Sequence, residues 1–109
     1  MSRPGRLTSA LALGLALAGC SESPPPNAGP EWERGRQVYL GQCTQCHSPD
    51  PAQAGPVGPP IKGASRELLE TKVLRGAYPP GYTAKRPTAV MPPQPQLAPE
   101  IPALTAYLR

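Results

Sequence analysis

After an apolar run at its beginning, the chain places hydrophobic residues at helical spacing in three short segments. In the first segment, from about Pro30 to Gln42, Trp32, Gly35 and Tyr39 fall on one face of an α-helix. No segment shows the alternation of apolar and polar residues that is typical of a β-strand, and the sequence contains no internal repeat. The hydrophobic pattern therefore predicts an all-α domain.

The second and third segments have ends marked by residues that start or stop helices. The second helix is predicted from about Arg66 to Arg75, with Ser65 as its N-cap and Gly76 as its end. The third helix is predicted to begin close to Ile101, with Pro99 near its first turn. Pro102 clashes once a full helical turn precedes it, so the helix cannot begin much earlier. Loops rich in Gly and Pro, at 48–64 and 77–96, connect the helices.

Composition adds a constraint on how this domain is stabilised. The chain has 109 residues, with 18 Pro, 11 Gly and no Phe. Between residues 30 and 109, Leu, Ile and Val fall below the share of about 20% under which a chain is usually disordered. A domain of this size with so small a core needs another source of apolar contact.

The apolar run at the beginning predicts an export signal. Arg3 and Arg6 precede it, and the run of about 13 residues is shorter than the ~20 that span a bilayer. It ends in Leu17-Ala18-Gly19-Cys20, which resembles the lipobox of bacterial lipoproteins. The resemblance implies that residues 1–19 are a signal peptide and that Cys20 is acylated after cleavage.

Residues 20–29 are predicted to form a Pro-rich tether between the acylated Cys20 and a domain at 30–109. The segment has no apolar side chain large enough to pack. Pro-rich chains extend by about 3.1 Å per residue, so the tether reaches roughly 25–30 Å. If Cys20 is not acylated, the same segment is an ordinary disordered terminus.

The charge of the chain does not indicate nucleic-acid binding. The formal net charge is +4, and Arg3 and Arg6 contribute to it from within the predicted signal peptide. No dense basic run is interleaved with aromatic residues, as nucleic-acid binding usually requires. Lys85 and Arg86 are expected to be solvated surface residues with a minor role in steering a partner.

The motif Cys43-Thr44-Gln45-Cys46-His47 has the C-x-x-C-H spacing of a c-type haem attachment site. Two thiols at this spacing can reach the two vinyl groups of one porphyrin. The adjacent imidazole of His47 can then bind the iron. A covalently attached haem would also supply the apolar surface that the domain lacks.

Other chemistries of the same residues fit less well. A thioredoxin-like dithiol follows a strand in a βαβ pattern, whereas a helix is predicted here. A structural zinc site takes four ligands, and the chain offers only Cys43, Cys46 and His47 near one another. A disulfide between the two cysteines is sterically allowed but leaves His47 without a role.

Met91 is the candidate for the second axial ligand of the iron. It is the only methionine that remains once residues 1–19 are removed. The prolines that follow it restrict the loop, which lowers the entropy cost of holding its sulfur in place. A core methionine is the alternative interpretation. His/Met ligation raises the reduction potential of a haem.

Taken together, these residues resemble class I cytochrome c over about Pro30 to Arg109. The matching features are Gly35 and Tyr39 before the C-x-x-C-H motif, Leu104 and Tyr107 in the last helix, and the pair Met91-Pro92. The resemblance implies a small all-α cytochrome c fold, with about three helices and long loops around one haem c. That haem would be attached through Cys43 and Cys46 and ligated by His47 and Met91.

The resemblance also implies a role for Pro59. Gly58-Pro59-Pro60-Ile61 is similar to the family's Gly-Pro-x-Leu segment, in which the proline carbonyl accepts a hydrogen bond from Nδ1 of the haem histidine. By that match Pro59 orients His47. Gly55-Pro56 offers a second register for the same segment.

One family feature is missing. Trp32 precedes the C-x-x-C-H motif, so it cannot be the mid-chain tryptophan that some members point at a haem propionate. Tyr78, Tyr82 and Arg86 are candidates for that contact, and the sequence does not choose among them.

The resemblance implies an electron-transfer protein rather than an enzyme. It would be a lipid-anchored carrier on the periplasmic face of a bacterial membrane, passing single electrons between cytochromes, an oxidase or a reductase. An electron-transfer subunit of a larger periplasmic oxidoreductase is one alternative. A haem peroxidase or gas sensor with a labile Met91 is another, although the chain has only one His.

Overall fold

The computed structural model of the protein describes residues 23–87 and 90–109. These residues form three α-helices and one 3₁₀ helix, in the order α1 (Pro30–Gln42), α2 (Arg66–Arg75), the 3₁₀ helix (Pro95–Glu100) and α3 (Ile101–Leu108). No strand occurs in the described residues, and the predicted all-α fold is confirmed. The predicted signal peptide and Cys20 lie outside the described part of the chain.

The α-helices begin and end where the local sequence predicts. Ser65 caps α2 by accepting a hydrogen bond from the backbone N–H of Leu68 at 3.1 Å. Gly76 ends α2 in the left-handed conformation at φ +68°, which glycine adopts without a steric cost. Pro102 occupies the first turn of α3, where its missing N–H breaks no helical hydrogen bond.

The 3₁₀ helix is the element that the sequence did not predict. Pro99 was expected at the first turn of the last helix, but it lies inside this separate 3₁₀ segment. Pro95 and Pro99 lack N–H groups, so the segment cannot complete an α-helical ladder and forms a short, tighter helix. Leu97 is its buried residue and packs into the core.

The core forms where α1 packs against α3. Tyr39 and Tyr107 are fully buried, and their ring centroids lie 5.4 Å apart. Trp32 meets the edge of Tyr107 at 5.2 Å. The two helices come this close because Gly35 has no side chain: a Cβ there would lie 2.0 Å from the carbonyl oxygen of Ala103. Gly35, Tyr39 and Tyr107, which carry the resemblance in the sequence, thus lie together at this contact.

An exposed ion pair joins α1 to the 3₁₀ helix beside this contact. The guanidinium of Arg34 donates two hydrogen bonds to the carboxylate of Glu100, from Nε at 3.0 Å and from a terminal nitrogen. The hydrogen bonds from Arg34 lower the pKa of Glu100. Because the pair is exposed, it contributes little to the free energy of unfolding, and its main effect is to orient the helix ends.

The described part of the predicted tether is less extended than expected. The N–H of Ala28 donates to the carbonyl oxygen of Pro25 at 2.9 Å, which closes a turn over Pro26 and Asn27. Proline and asparagine are both common in turns. Ala28 then packs against the core at the start of α1. Within the described residues, no helix combines the length and hydropathy that crossing a bilayer requires.

We expect Gly35→Ala to destabilise the haem-loaded protein by about 1–3 kcal/mol, because the added methyl group forces α1 away from α3. Gly41→Ala is the matched control. It lies on the same helix, and its Cβ would meet no atom within 4 Å. Replacing an exposed helical glycine in this way stabilises by about 0.5–1 kcal/mol. Denaturant unfolding of both variants measures the difference. Equal effects would contradict the close approach at Gly35.

Candidate functional site

A cavity of about 440 Å³ lies beside the C-x-x-C-H motif. Its wall combines the motif, the loop after it, one face of α2 and the loop that carries Met91. The wall residues that matter for its chemistry are Cys46, His47, Pro59, Leu69, Val73 and Met91. Leu69 and Val73 are buried side chains of α2, so much of the wall is apolar.

His47 is buried in this wall and held by one backbone oxygen. Its Nδ1 lies 3.0 Å from the carbonyl oxygen of Pro59, and 8% of the residue is exposed. A carbonyl can only accept, so this contact places the ring proton on Nδ1. Nε2 then keeps its lone pair for a metal ion. Of the two sequence registers, the structure places Pro59 at this position.

The loop around His47 depends on two glycines. Gly58 donates its N–H to the carbonyl oxygen of Cys46 at 2.8 Å, and Gly55 donates to the carbonyl oxygen of Gly58 at 2.9 Å. A Cβ on Gly58 would lie 2.5 Å from the imidazole, and a Cβ on Gly55 would lie 2.2 Å from the oxygen of Cys46. Only residues without a side chain allow the loop to approach the motif so closely.

The two thiols are free and have different surroundings. Cys43 is the C-cap of α1, where its N–H donates to the carbonyl oxygen of Tyr39 at 2.9 Å, and its side chain packs against the core. Burial raises the pKa of the Cys43 thiol to about 11. Cys46 lines the cavity. The N–H of His47 donates to the carbonyl oxygen of Cys43 at 2.9 Å, which keeps the motif in one compact turn.

This geometry does not fit the competing interpretations of the motif. A helix leads into the motif, whereas a strand leads into a thioredoxin-like dithiol. The two cysteines are not joined to each other. Across residues 23–87 and 90–109, no three His, Cys, Asp or Glu side chains come together as a metal-binding group, so a zinc site is not formed there.

Met91 lines the same cavity, although it lies far from His47 in the sequence. It is half-buried, lines the cavity and packs against the core. The chain that follows it is attached to α2, because the N–H of Gln94 donates to the carbonyl oxygen of Val73 at 2.6 Å. The structure thus brings together the imidazole of His47 and the thioether of Met91 in one cavity.

The cavity lining contains cations and aromatic rings but no described carboxylate. Its cationic side chains are Lys62, Lys72, Lys85 and Arg86. Tyr78 and Tyr82 stack with ring centroids 5.4 Å apart, and Nζ of Lys72 lies 4.2 Å from the centroid of Tyr78. All three residues predicted as candidates for a propionate contact, Tyr78, Tyr82 and Arg86, lie in this lining.

Three of these cations, Lys62, Lys72 and Lys85, were not predicted to belong to the site. Lys85 is an exposed surface residue, as expected, and its Nζ also donates to the carbonyl oxygen of Pro60 at 2.8 Å. That contact joins residues 25 positions apart, so no local pattern indicates it. Lys72 follows Leu68 by one helical turn, so helical spacing could have placed it beside the cavity.

The residues of the cavity fit a haem. A haem is a broad apolar group with two vinyl groups and two negatively charged propionates. The apolar wall suits the apolar ring, and the free thiols suit the vinyl groups. The cationic lining, which has no described carboxylate, suits the propionates. Because the Pro59 carbonyl holds Nδ1 of His47, Nε2 is the ring nitrogen left to bind iron.

Comparison with known proteins gives a family match. A family model described as Cytochrome c matches residues 32–109, which include most of α1, the C-x-x-C-H motif, α2, Met91 and α3. Searches of curated proteins and of solved structures found no match.

We expect Gly58→Ala to disturb the iron site, because the new Cβ would push the imidazole of His47 away from the Pro59 oxygen. The haem-loaded variant should lose about 1–3 kcal/mol of stability and show an altered visible spectrum. Gly41→Ala, which lies near the motif but meets no atom, should leave the spectrum unchanged. A Gly58→Ala spectrum identical to that of the wild type would contradict the close packing of this loop on His47.

Proposed function

The chain belongs to the cytochrome c family, and on that premise we propose that it is a one-electron carrier with His47 and Met91 as axial ligands of its haem iron. The family binds haem c covalently, and Cys43 and Cys46 have the spacing of its attachment motif. When bound, the haem supplies the exchange of one electron between ferric and ferrous iron. The observation that carries the proposal is that His47 and Met91 line one cavity.

The chain's contribution is to fix the ligands and exclude water. The Pro59 carbonyl holds the Nδ1 proton of His47, which fixes the ring and increases its basicity as a ligand. Leu69 and Val73 keep the wall apolar. An apolar environment disfavours additional charge, so it favours the less charged ferrous state. A thioether ligand from Met91 favours that state as well.

The cavity lining favours a carrier over a catalyst. A peroxidase or gas-sensing site needs an open axial position and groups that move protons beside it. The only histidine of the chain is His47, and the described lining contains no carboxylate. If His47 and Met91 both hold the iron, no position would be left for a substrate or a gas, and electron transfer would need no change of ligands.

The partners implied by the family are other redox proteins. Lys62, Lys72, Lys85 and Arg86 give the described mouth of the cavity positive charge. Positive charge at this position would speed encounter with a negatively charged partner, and the effect would weaken with salt.

The second part of the proposal is a lipid anchor at Cys20 that holds the domain on the periplasmic face of a bacterial membrane. Its support is the basic and apolar start of the chain followed by Leu17-Ala18-Gly19-Cys20. The exposed segment at 23–27, which includes the turn over Pro26 and Asn27, leads from this region to α1, so the domain can stand off from the membrane. Such a tether raises the effective concentration of the carrier near membrane-bound partners.

The ligand pair is tested by Met91→Ala. The ferric wild type should show the far-red absorption band of sulfur bound to iron, and the reduced wild type should not bind carbon monoxide. Met91→Ala should lose the band and bind carbon monoxide, because one axial position opens. Gln96→Ala changes an exposed residue of the following 3₁₀ helix and should behave as the wild type. Rapid binding of carbon monoxide by the wild type would overturn the carrier proposal.

The anchor is tested by Cys20→Ser in a bacterial host that attaches haem c. The wild type should sediment with membranes, and Cys20→Ser should be found in the soluble fraction or retain an uncleaved signal. Ser21→Ala, the adjacent control, should stay with the membranes. A wild type that is soluble after export would refute acylation at Cys20 and leave the haem ligands unaffected.

A further inference from the structure

The two carbonyl groups of Pro59 and Pro60 point to different partners. The oxygen of Pro59 accepts a hydrogen bond from Nδ1 of His47 at 3.0 Å. The oxygen of Pro60 accepts one from Nζ of Lys85 at 2.8 Å. We infer that Lys85 is a positioning residue for His47: it holds the Pro59–Pro60 segment in place and sets how firmly the imidazole is bound. This inference rests on the proposed role of His47 as an iron ligand.

The residues that flank the Pro59–Pro60 segment are hydrogen-bonded, Gly58 to Cys46 and both Ile61 and Lys62 to Pro51, but the two prolines themselves have few means of attachment. Neither proline has a backbone N–H, so only the two carbonyl oxygens can form main-chain hydrogen bonds. One of these oxygens is used by His47. Among the described residues, Lys85 is the recorded hydrogen-bond partner of the other. Without Lys85, the two prolines lose their hydrogen bond to the loop that carries Lys85 and keep only the attachments of their neighbours.

Lys85 lies on a loop that is held in place by its own hydrogen bond and ring contacts. The N–H of Tyr82 donates to the carbonyl oxygen of Pro79 at 3.1 Å, and Gly81 at φ +77° completes that turn. The turn stacks Tyr82 on Tyr78, and Lys72 of α2 lies over the ring of Tyr78. The loop that carries Lys85 is therefore anchored to α2, and its hydrogen bond links α2 to the His47 side of the cavity.

The charge of Lys85 has a second consequence. An ammonium group beside this segment favours the less positive ferrous state, as any nearby cation does. Its loss has two opposite effects on the reduction potential. Loss of the positive charge lowers the potential, whereas a weaker hydrogen bond from Nδ1 of His47 to the Pro59 carbonyl makes the imidazole a less basic ligand and raises it. A cation elsewhere in the cavity lining would contribute only the first effect.

The test compares Lys85→Met, Lys85→Arg and Lys62→Met in the haem-loaded protein. Lys62 also lines the cavity, and no side-chain hydrogen bond is recorded for it, so it controls for the loss of charge alone. Hydrogen exchange of the His47 Nδ1–H in the reduced protein should be at least about threefold faster in Lys85→Met, the factor expected for one lost hydrogen bond. It should be unchanged in Lys62→Met and Lys85→Arg.

Reduction potentials give an independent readout. Lys85→Met should lower the potential less than Lys62→Met does, because the weaker His47–Pro59 hydrogen bond partly offsets the loss of charge, and Lys85→Arg should retain the wild-type value. Equal exchange rates in Lys85→Met and the wild type would overturn the inference. So would a general loss of protection that includes the Cys43 amide of α1, because Lys85 would then act on folding as a whole.

Failure of the proposed function gives a different result. A paramagnetic reduced wild type would show that Met91 is not bound, whatever the role of Lys85. The potentials still decide the inference in that case: a smaller drop in Lys85→Met than in Lys62→Met supports it, and an equal or larger drop overturns it.

Discussion

The contact of α1 with α3 at Gly35 is the interaction on which the rest of the structure depends. The backbone of α3 lies where a side chain of residue 35 would be, so Tyr39 and Tyr107 can meet in the core. The same helix ends at Cys43, which places the attachment motif. The 3₁₀ helix before α3 places the chain that returns from Met91. A single close approach of two helices thus orients both halves of the candidate haem site.

The high content of Pro and Gly has a structural use in this chain. Gly55 and Gly58 allow a loop to pass directly over the motif, and Pro59 and Pro60 present carbonyl oxygens without competing N–H groups. A composition that is common in disordered chains here forms loops that enclose a cavity. The cavity is large and partly apolar, which agrees with a domain whose stability comes partly from a covalently attached haem.

Local signals made the helices and the motif predictable. Ser65 and Gly76 mark the ends of α2 by hydrogen bonds within one turn, and Pro102 restricts where α3 can begin. The covalent haem follows from motif spacing and is supported by the family match. Contacts between distant residues were not predictable in the same way. The bond from Lys85 to Pro60 spans 25 residues, and the 3₁₀ helix depends on how Leu97 packs into the core.

The separation of α1 and α3 along the chain also constrains the order of events during biogenesis. Arg34 and Glu100, which pair across this junction, are 66 residues apart. Contacts of such separation form late, because a long stretch of chain must be ordered before they are made. The region around the motif is synthesised before α3 and until then has no partner for its apolar face. Cys43 and Cys46 are therefore accessible for haem attachment before Cys43 becomes buried.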